Sequence, residues 1–194
     1  MTKPELNPND IVVTGFGMVH PLLEDNDDLI NSDFGNSNDG KLPANLNEFK
    51  PAPHLKDKRV MKAVSHRDGV GLVAVEQLWE NIEGEAIENP PFRRGFFVGA
   101  SPSLVSDYEN YREAVMATQH GGDEIDESQF GAEVMNSRPT TLLFGLPNNV
   151  LCYGSMRCRT QGPNNNFTSG AISSLVAIGS ALRNFQRERI DFAI

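Results

Sequence analysis

Two cysteines and four histidines are the side chains of this 194-residue chain best suited to nucleophilic, redox or metal chemistry. Cys152 and Cys158 are separated by five residues, which matches neither the C-x-x-C spacing of a redox pair nor that of a zinc knuckle. A thiol outside such a motif behaves as a small apolar side chain, so both are expected to be buried. His20, His54, His66 and His120 have no second ligand at helical or turn spacing, and no metal or other cofactor is expected. The acidic, glycine-rich stretch 121–127 has no glycine where a calcium loop needs one, so it is expected to be a solvated loop. Gly15-x-Gly17 is only part of a dinucleotide fingerprint, because His20 stands at the third glycine position, and a tight turn explains it. Asn166-Phe167-Thr168 matches a glycosylation sequon by chance, and neither a Walker motif nor a Gly-x-Ser-x-Gly elbow is present.

The elements that must position these residues follow from pattern. Ile11-Val12-Val13-Thr14 is a β-branched run closed by Gly15-Phe16-Gly17 and is expected to be a buried strand entering a turn. Residues 25–50 are rich in Asn, Asp, Ser and Gly and read as surface loop. Between Asp57 and Trp79 apolar residues recur with a period of about 3.6, which predicts one or two helices with Asp57 as an N-cap. Phe96-Phe97-Val98-Gly99 reads as a second buried strand, residues 103–118 as an amphipathic helix, and a further helix is expected after Pro147 toward Arg157. Residues 161–166 read as a turn, Phe167-Thr168-Ser169 as a short extended piece, and Gly170-Ala171-Ile172 as a tight strand-to-helix connection. Ser173 to Phe185 carries no charge before Arg183 and is expected to be a buried central helix. Ile190 to Ile194 begins a new strand.

A net charge of −9 with scattered Lys and Arg argues against a nucleic-acid surface. The apolar runs fall far short of the roughly 18 residues that span a bilayer, and no signal core follows Met1, so no membrane contact and a cytoplasmic location are expected.

Three stretches resemble β-ketoacyl synthases. Residues 12–22, Val-Val-Thr-Gly-Phe-Gly-Met-Val-His-Pro-Leu, are similar to that family's opening strand and turn; Phe97-Val98-Gly99-Ala100 is similar to its second strand; and Leu146-Pro147-Asn148 through Gly162-Pro163 to Ser173-Ser174-Leu175-Val176-Ala177-Ile178 is similar to the segment around its nucleophile. The resemblance implies an α/β, thiolase-like fold, of which residues 1–194 would be the N-terminal half, with a mixed five-stranded sheet and helices on both faces. Aligned without a gap, the family's nucleophilic cysteine falls on Ala171, preceded by Ser169 and Gly170 where the family has Thr-Ala.

Alanine cannot form the acyl-enzyme that condensation requires, and no residue here matches the family's two catalytic histidines and lysine, which belong to its second half. The resemblance therefore implies no catalytic residue in this chain, which is expected to be the ordered part of a longer protein. Gly170 and Ile172 also depart from the family pattern, as natural divergence would leave them. The function implied is that of a non-catalytic, chain-length-factor-like subunit of fatty acid or polyketide biosynthesis, acting as a homodimer or as a heterodimer with an active ketosynthase, with an acyl carrier protein as a further partner. In the family the strand before the nucleophile pairs across a two-fold axis, which here is Asn165, Asn166, Phe167, Thr168 and Ser169. The alternative is an acyltransferase-family enzyme of altered chemistry, such as a malonyl-acyl carrier protein decarboxylase, which needs carbanion stabilisation but no covalent intermediate.

Overall fold

The computed structural model describes residues 10–19, 49–100, 108–119, 126–137 and 146–194, with the single positions 7, 46 and 143. Among them the helices are α1 (His66–Glu88), α2 (Tyr108–Thr118), α3 (Glu127–Ser137), α4 (Asn149–Arg157) and α5 (Ser173–Gln186), and the strands are β1 (Arg94–Gly99), β2 (Asn164–Phe167) and β3 (Phe192–Ala193).

Local chemistry sets the ends of α1. The Ser65 hydroxyl accepts from the Asp68 N–H at 3.1 Å, and the Asp68 carboxylate accepts from the Ser65 N–H at 3.2 Å, a reciprocal cap that satisfies two N–H groups the helix cannot. The same carboxylate accepts from Asn149 Nδ2 at 3.1 Å, which ties the start of α1 to the first residue of α4. At the other end Asn89-Pro90 stops the helix, and the buried Arg94 guanidinium donates to the carbonyls of Asn89 at 2.7 Å and Ile87 at 3.1 Å. A cation there fulfils both needs of a helix C-terminus, hydrogen-bond donors for the last carbonyls and positive charge against the dipole. Asp57 does cap a turn, accepting from the Arg59 N–H, but the turn is a short 3₁₀ segment, Lys58–Lys62, ahead of α1.

β1 is the central strand, in the order β2-β1-β3, and both neighbours run parallel to it. The register pairs Phe96 with Asn164 and Gly99 with Phe167 on one side, and Arg94 with Phe192 on the other. Side chains alternate across β1, so its two faces bury against different helices. Phe96 packs with Trp79, Ile82 and Ala86 of α1 and with Cys158, all buried. It does so against Gly154 of α4, where a Cβ would lie 2.5 Å from the Phe96 ring. On the opposite face Gly99 meets the start of α5, and a Cβ there would lie 2.5 Å from the Ser173 and Ser174 backbone. A second buried cluster, Leu55, Val64, Leu72 and Val73, joins α1 to the turns that precede it. α2 and α3 pack against each other.

Four expectations need correction. The mixed five-stranded sheet of a thiolase-like half is replaced, among the described residues, by a three-stranded sheet that is entirely parallel. Ile11–Thr14 forms no strand, and Val13 is 90% exposed. The chain there lies over α1 instead: the Met18 N–H donates to Gln77 Oε1 at 3.0 Å, and Gly17 sits so close to the helix that a Cβ would overlap the Ala74 carbonyl oxygen. Its β-branched residues are suited to a ladder but meet no strand edge, and propensity yields to that contact. The strand expected at 167–169 runs from Asn164 to Phe167, because pairing with β1 overrides the poor strand propensity of three asparagines. Finally, Cys152 is exposed while Cys158 is buried. The predicted loop at 25–50 and the acidic stretch 121–127 lie almost wholly outside the described residues.

Candidate functional site

The carboxyl ends of β1 and β2 and the amino end of α5 converge on residues 168–173. The Ala100 N–H donates to the Phe167 carbonyl at 2.9 Å, which closes the β1–β2 pair at that end. Beyond Phe167 the backbone must turn sharply to enter α5 on one face of the sheet. It does so through Gly170, whose φ of +65° is costly for any residue with a Cβ. A single 3₁₀ turn, Gly170–Ile172, follows and runs directly into α5. In parallel α/β sheets this edge, outside the carboxyl ends of the strands, is where sites form.

Ala171 stands in the middle of that turn, is exposed, and offers no nucleophile. The nearest hydroxyls do not replace one. Ser173 is buried and its Oγ donates to the Gly170 carbonyl at 2.7 Å, so it staples the turn, while Ser169 lies before the glycine with its side chain in solvent. Both thiols belong to the other side of the sheet, where α4 packs on Phe96. Of the histidines, His54 stacks on Phe49 with centroids 5.0 Å apart and His66 Nε2 lies 2.7 Å from the Phe49 carbonyl; His20 and His120 lie outside the described residues. The turn therefore keeps backbone N–H groups at a helix start, and no side-chain cap occupies them, but among the described residues it has no nucleophile and no base.

The five residues expected at an interface are brought together on and just after β2. One edge of β2 is paired to β1, and its other edge has no strand beside it among the described residues. Asn165, Thr168 and Ser169 are exposed; Asn166 and Phe167 are half-buried, and Asn166 Oδ1 is covered without a hydrogen-bond partner among the described residues.

α5 departs from the buried central helix that its composition suggests. Ser173 and Ala177 are buried against β1, but Leu175 is 70% exposed, Ile178 58% and Leu182 40%. With Ile172 these residues form an apolar stripe at spacings of three and four along the outer face. Sequence reasoning also missed the ion pair between Glu76 and Arg157, whose Nε donates to Glu76 Oε2 at 2.7 Å with both side chains largely buried. A signal was present: Glu76 interrupts the apolar run Val73-Ala74-Val75, and a carboxylate on a buried helix face requires a partner.

No family model matches the chain, and no curated protein matches it. Its fold is similar to that of a chain in a solved structure of a type II polyketide synthase acyl carrier protein in complex with its ketosynthase bound to the hexaketide. The TM-score is 0.54 at 17% identity, and the likeness covers 74% of this chain and 37% of the other, which is thus twice as long. At that identity the likeness concerns the fold alone. Among the described residues no helix is long and apolar enough to cross a membrane.

Proposed function

We propose that this chain serves as a non-catalytic, ketosynthase-type partner subunit in polyketide or fatty acid biosynthesis, in the manner of a chain-length factor. The observation that carries this reading is the state of position 171. The strand, the left-handed glycine, the turn and the helix that would present a nucleophile are intact, and the residue presented is an alanine with an exposed methyl. A turn kept without its reactive group can still shape a surface, and removal of the thiol abolishes the covalent intermediate altogether.

The edge of β2 that has no strand beside it among the described residues and the exposed apolar stripe of α5 support a role in assembly, since both gain by being covered. The fold likeness to a complex of an acyl carrier protein with its ketosynthase is in keeping with such partners. On this reading the partner is an active ketosynthase, contacted through Asn165 to Ser169, an acyl carrier protein visits the pair, and the location is cytoplasmic.

Co-expression with a ketosynthase from the same gene neighbourhood is the direct test. A heterodimer that survives affinity capture and elutes as one species in size-exclusion chromatography is expected. Separate elution of the two chains, with no condensing activity gained on mixing, overturns the proposal.

A further inference from the structure

Away from the Ala171 turn, a cleft of about 880 Å³ lies between α1, the Lys58–Lys62 turn and α4. Its volume is within the roughly 300–1,000 Å³ of small-molecule sites. Leu55, Val60, Leu72, Val75 and Met156 give it an apolar wall, and the Glu76–Arg157 pair lies in its lining. Both Glu76 oxygens are already engaged: Oε2 accepts from Arg157 Nε at 2.7 Å, and Oε1 accepts from the Lys56 backbone N–H at 3.3 Å. Arg157 is not used up in the same way. A guanidinium carries five N–H donors, and among the described residues neither Nη of Arg157 has a hydrogen-bond partner, although its side chain is only 19% exposed. Lys56 at the rim also has an unpartnered ammonium among the described residues, whereas Arg59 is tied to Asp57. In a chain of net charge −9, the lining holds three cations against two carboxylates.

We propose that this cleft binds an aliphatic chain ending in an anionic oxygen group, a carboxylate or a phosphate. The head group accepts from the two Nη atoms of Arg157 and approaches Lys56, and the tail lies along Leu72, Val75 and Val60. A planar fork fits two anionic oxygens at once, and burial strengthens the pairing. The local surplus of cations in the lining adds attraction for an anion at this place in an otherwise negative chain. This site is independent of the assembly role proposed for β2 and α5.

Titration calorimetry of the full chain with decanoate, decyl phosphate, decanol and decylamine, each below its micelle concentration, tests it. One saturable site for at least one of the two anions is expected, with decanol weaker by about tenfold or more for the lost charge-assisted bonds. Decanoate binding alone identifies a carboxylate ligand, and decyl phosphate binding alone a phosphate ester. Lys56→Glu on the exposed rim should remove the preference for anions, and Val75→Phe should fill the cleft and abolish binding while the emission of Trp79, the sole tryptophan, stays that of a buried indole. The proposal is overturned if neither anion saturates, if decanol or decylamine binds as well as the anions, or if Val75→Phe binds normally. Should Val75→Phe fail to fold, an unchanged anion preference in Lys56→Glu overturns it.

Discussion

Burial pushes the Cys158 thiol up to about 12; the charge of Arg157 opposes the rise only in part, and those of Glu76 and Glu83 add to it. Cys152, on the preceding helical turns, is exposed. Native protein should therefore react with a disulfide reagent at one thiol quickly and at the second only on unfolding, which a two-phase titration with and without denaturant will show. The same shift has a consequence for stability. The thiol ionises at 9.0 in the absence of the fold and near 12 within it, so its contribution is complete below pH 9 and is lost as the pH rises toward 12. Denaturation midpoints of wild type should accordingly fall over that interval more steeply than those of Cys158→Ala. At position 171, an introduced cysteine would sit exposed at a helix start, where thiolates are favoured. Ala171→Cys should be alkylated by iodoacetamide at pH 7 faster than Cys152, as mass spectrometry can follow, yet acyl condensation should not appear, since neither His54 nor His66 stands at the turn. The tight Gly170-Ala171-Ile172 connection into a helix was legible in the sequence, whereas the partner of Glu76 was not. Arg157 lies 81 residues away, and only the packing of α1 against α4 brings the two together.

The elements whose ends are set by local chemistry are the ones the sequence announces. α4 and β1 lie within a residue or two of their expected bounds, and the period of apolar residues after Asp57 marks α1, although its cap is Ser65. Elements that depend on a distant neighbour are hidden. Ile11–Thr14 has the composition of a strand but pairs with none among the described residues, and Asn164–Phe167 has the composition of a turn and becomes a strand because β1 is beside it. The seat of α5 on β1 depends on Gly99 in the same way. In Gly99→Ala the new methyl would overlap backbone atoms of Ser173 and Ser174, which cannot swing aside as a side chain would. We expect a loss of about 2 kcal/mol in urea unfolding, in the range of overpacked cores, and a larger effect than from alanine at Gly84, which meets nothing within 4 Å.

At the scale of the molecule, the resemblance to β-ketoacyl synthases overstated the sheet: it implied five strands in a mixed sheet, and the described residues form three, all parallel. Parallel sheets are normally covered on both faces, and α5 covers one of them while turning its own outer side to water. A stripe that includes Leu175 at 70% exposure should make the isolated chain self-associate as its concentration rises. The double substitution Leu175→Lys and Ile178→Lys should suppress that association in sedimentation velocity, and because both side chains are more than half exposed it should change unfolding stability by less than about 0.5 kcal/mol.

The position of β1 at the centre of the sheet also sets an order on the birth of the protein. Its partners begin at Asn164 and Phe192, so a ribosome must make nearly seventy further residues after Phe96 before the first ladder can close, and nearly a hundred after Arg94 before the second can. Synthesis at about 5–20 residues per second makes that an interval of seconds in which the strand has helices but no sheet. During that time an apolar strand, Phe96-Phe97-Val98, has both edges free, the condition under which strands pair wrongly.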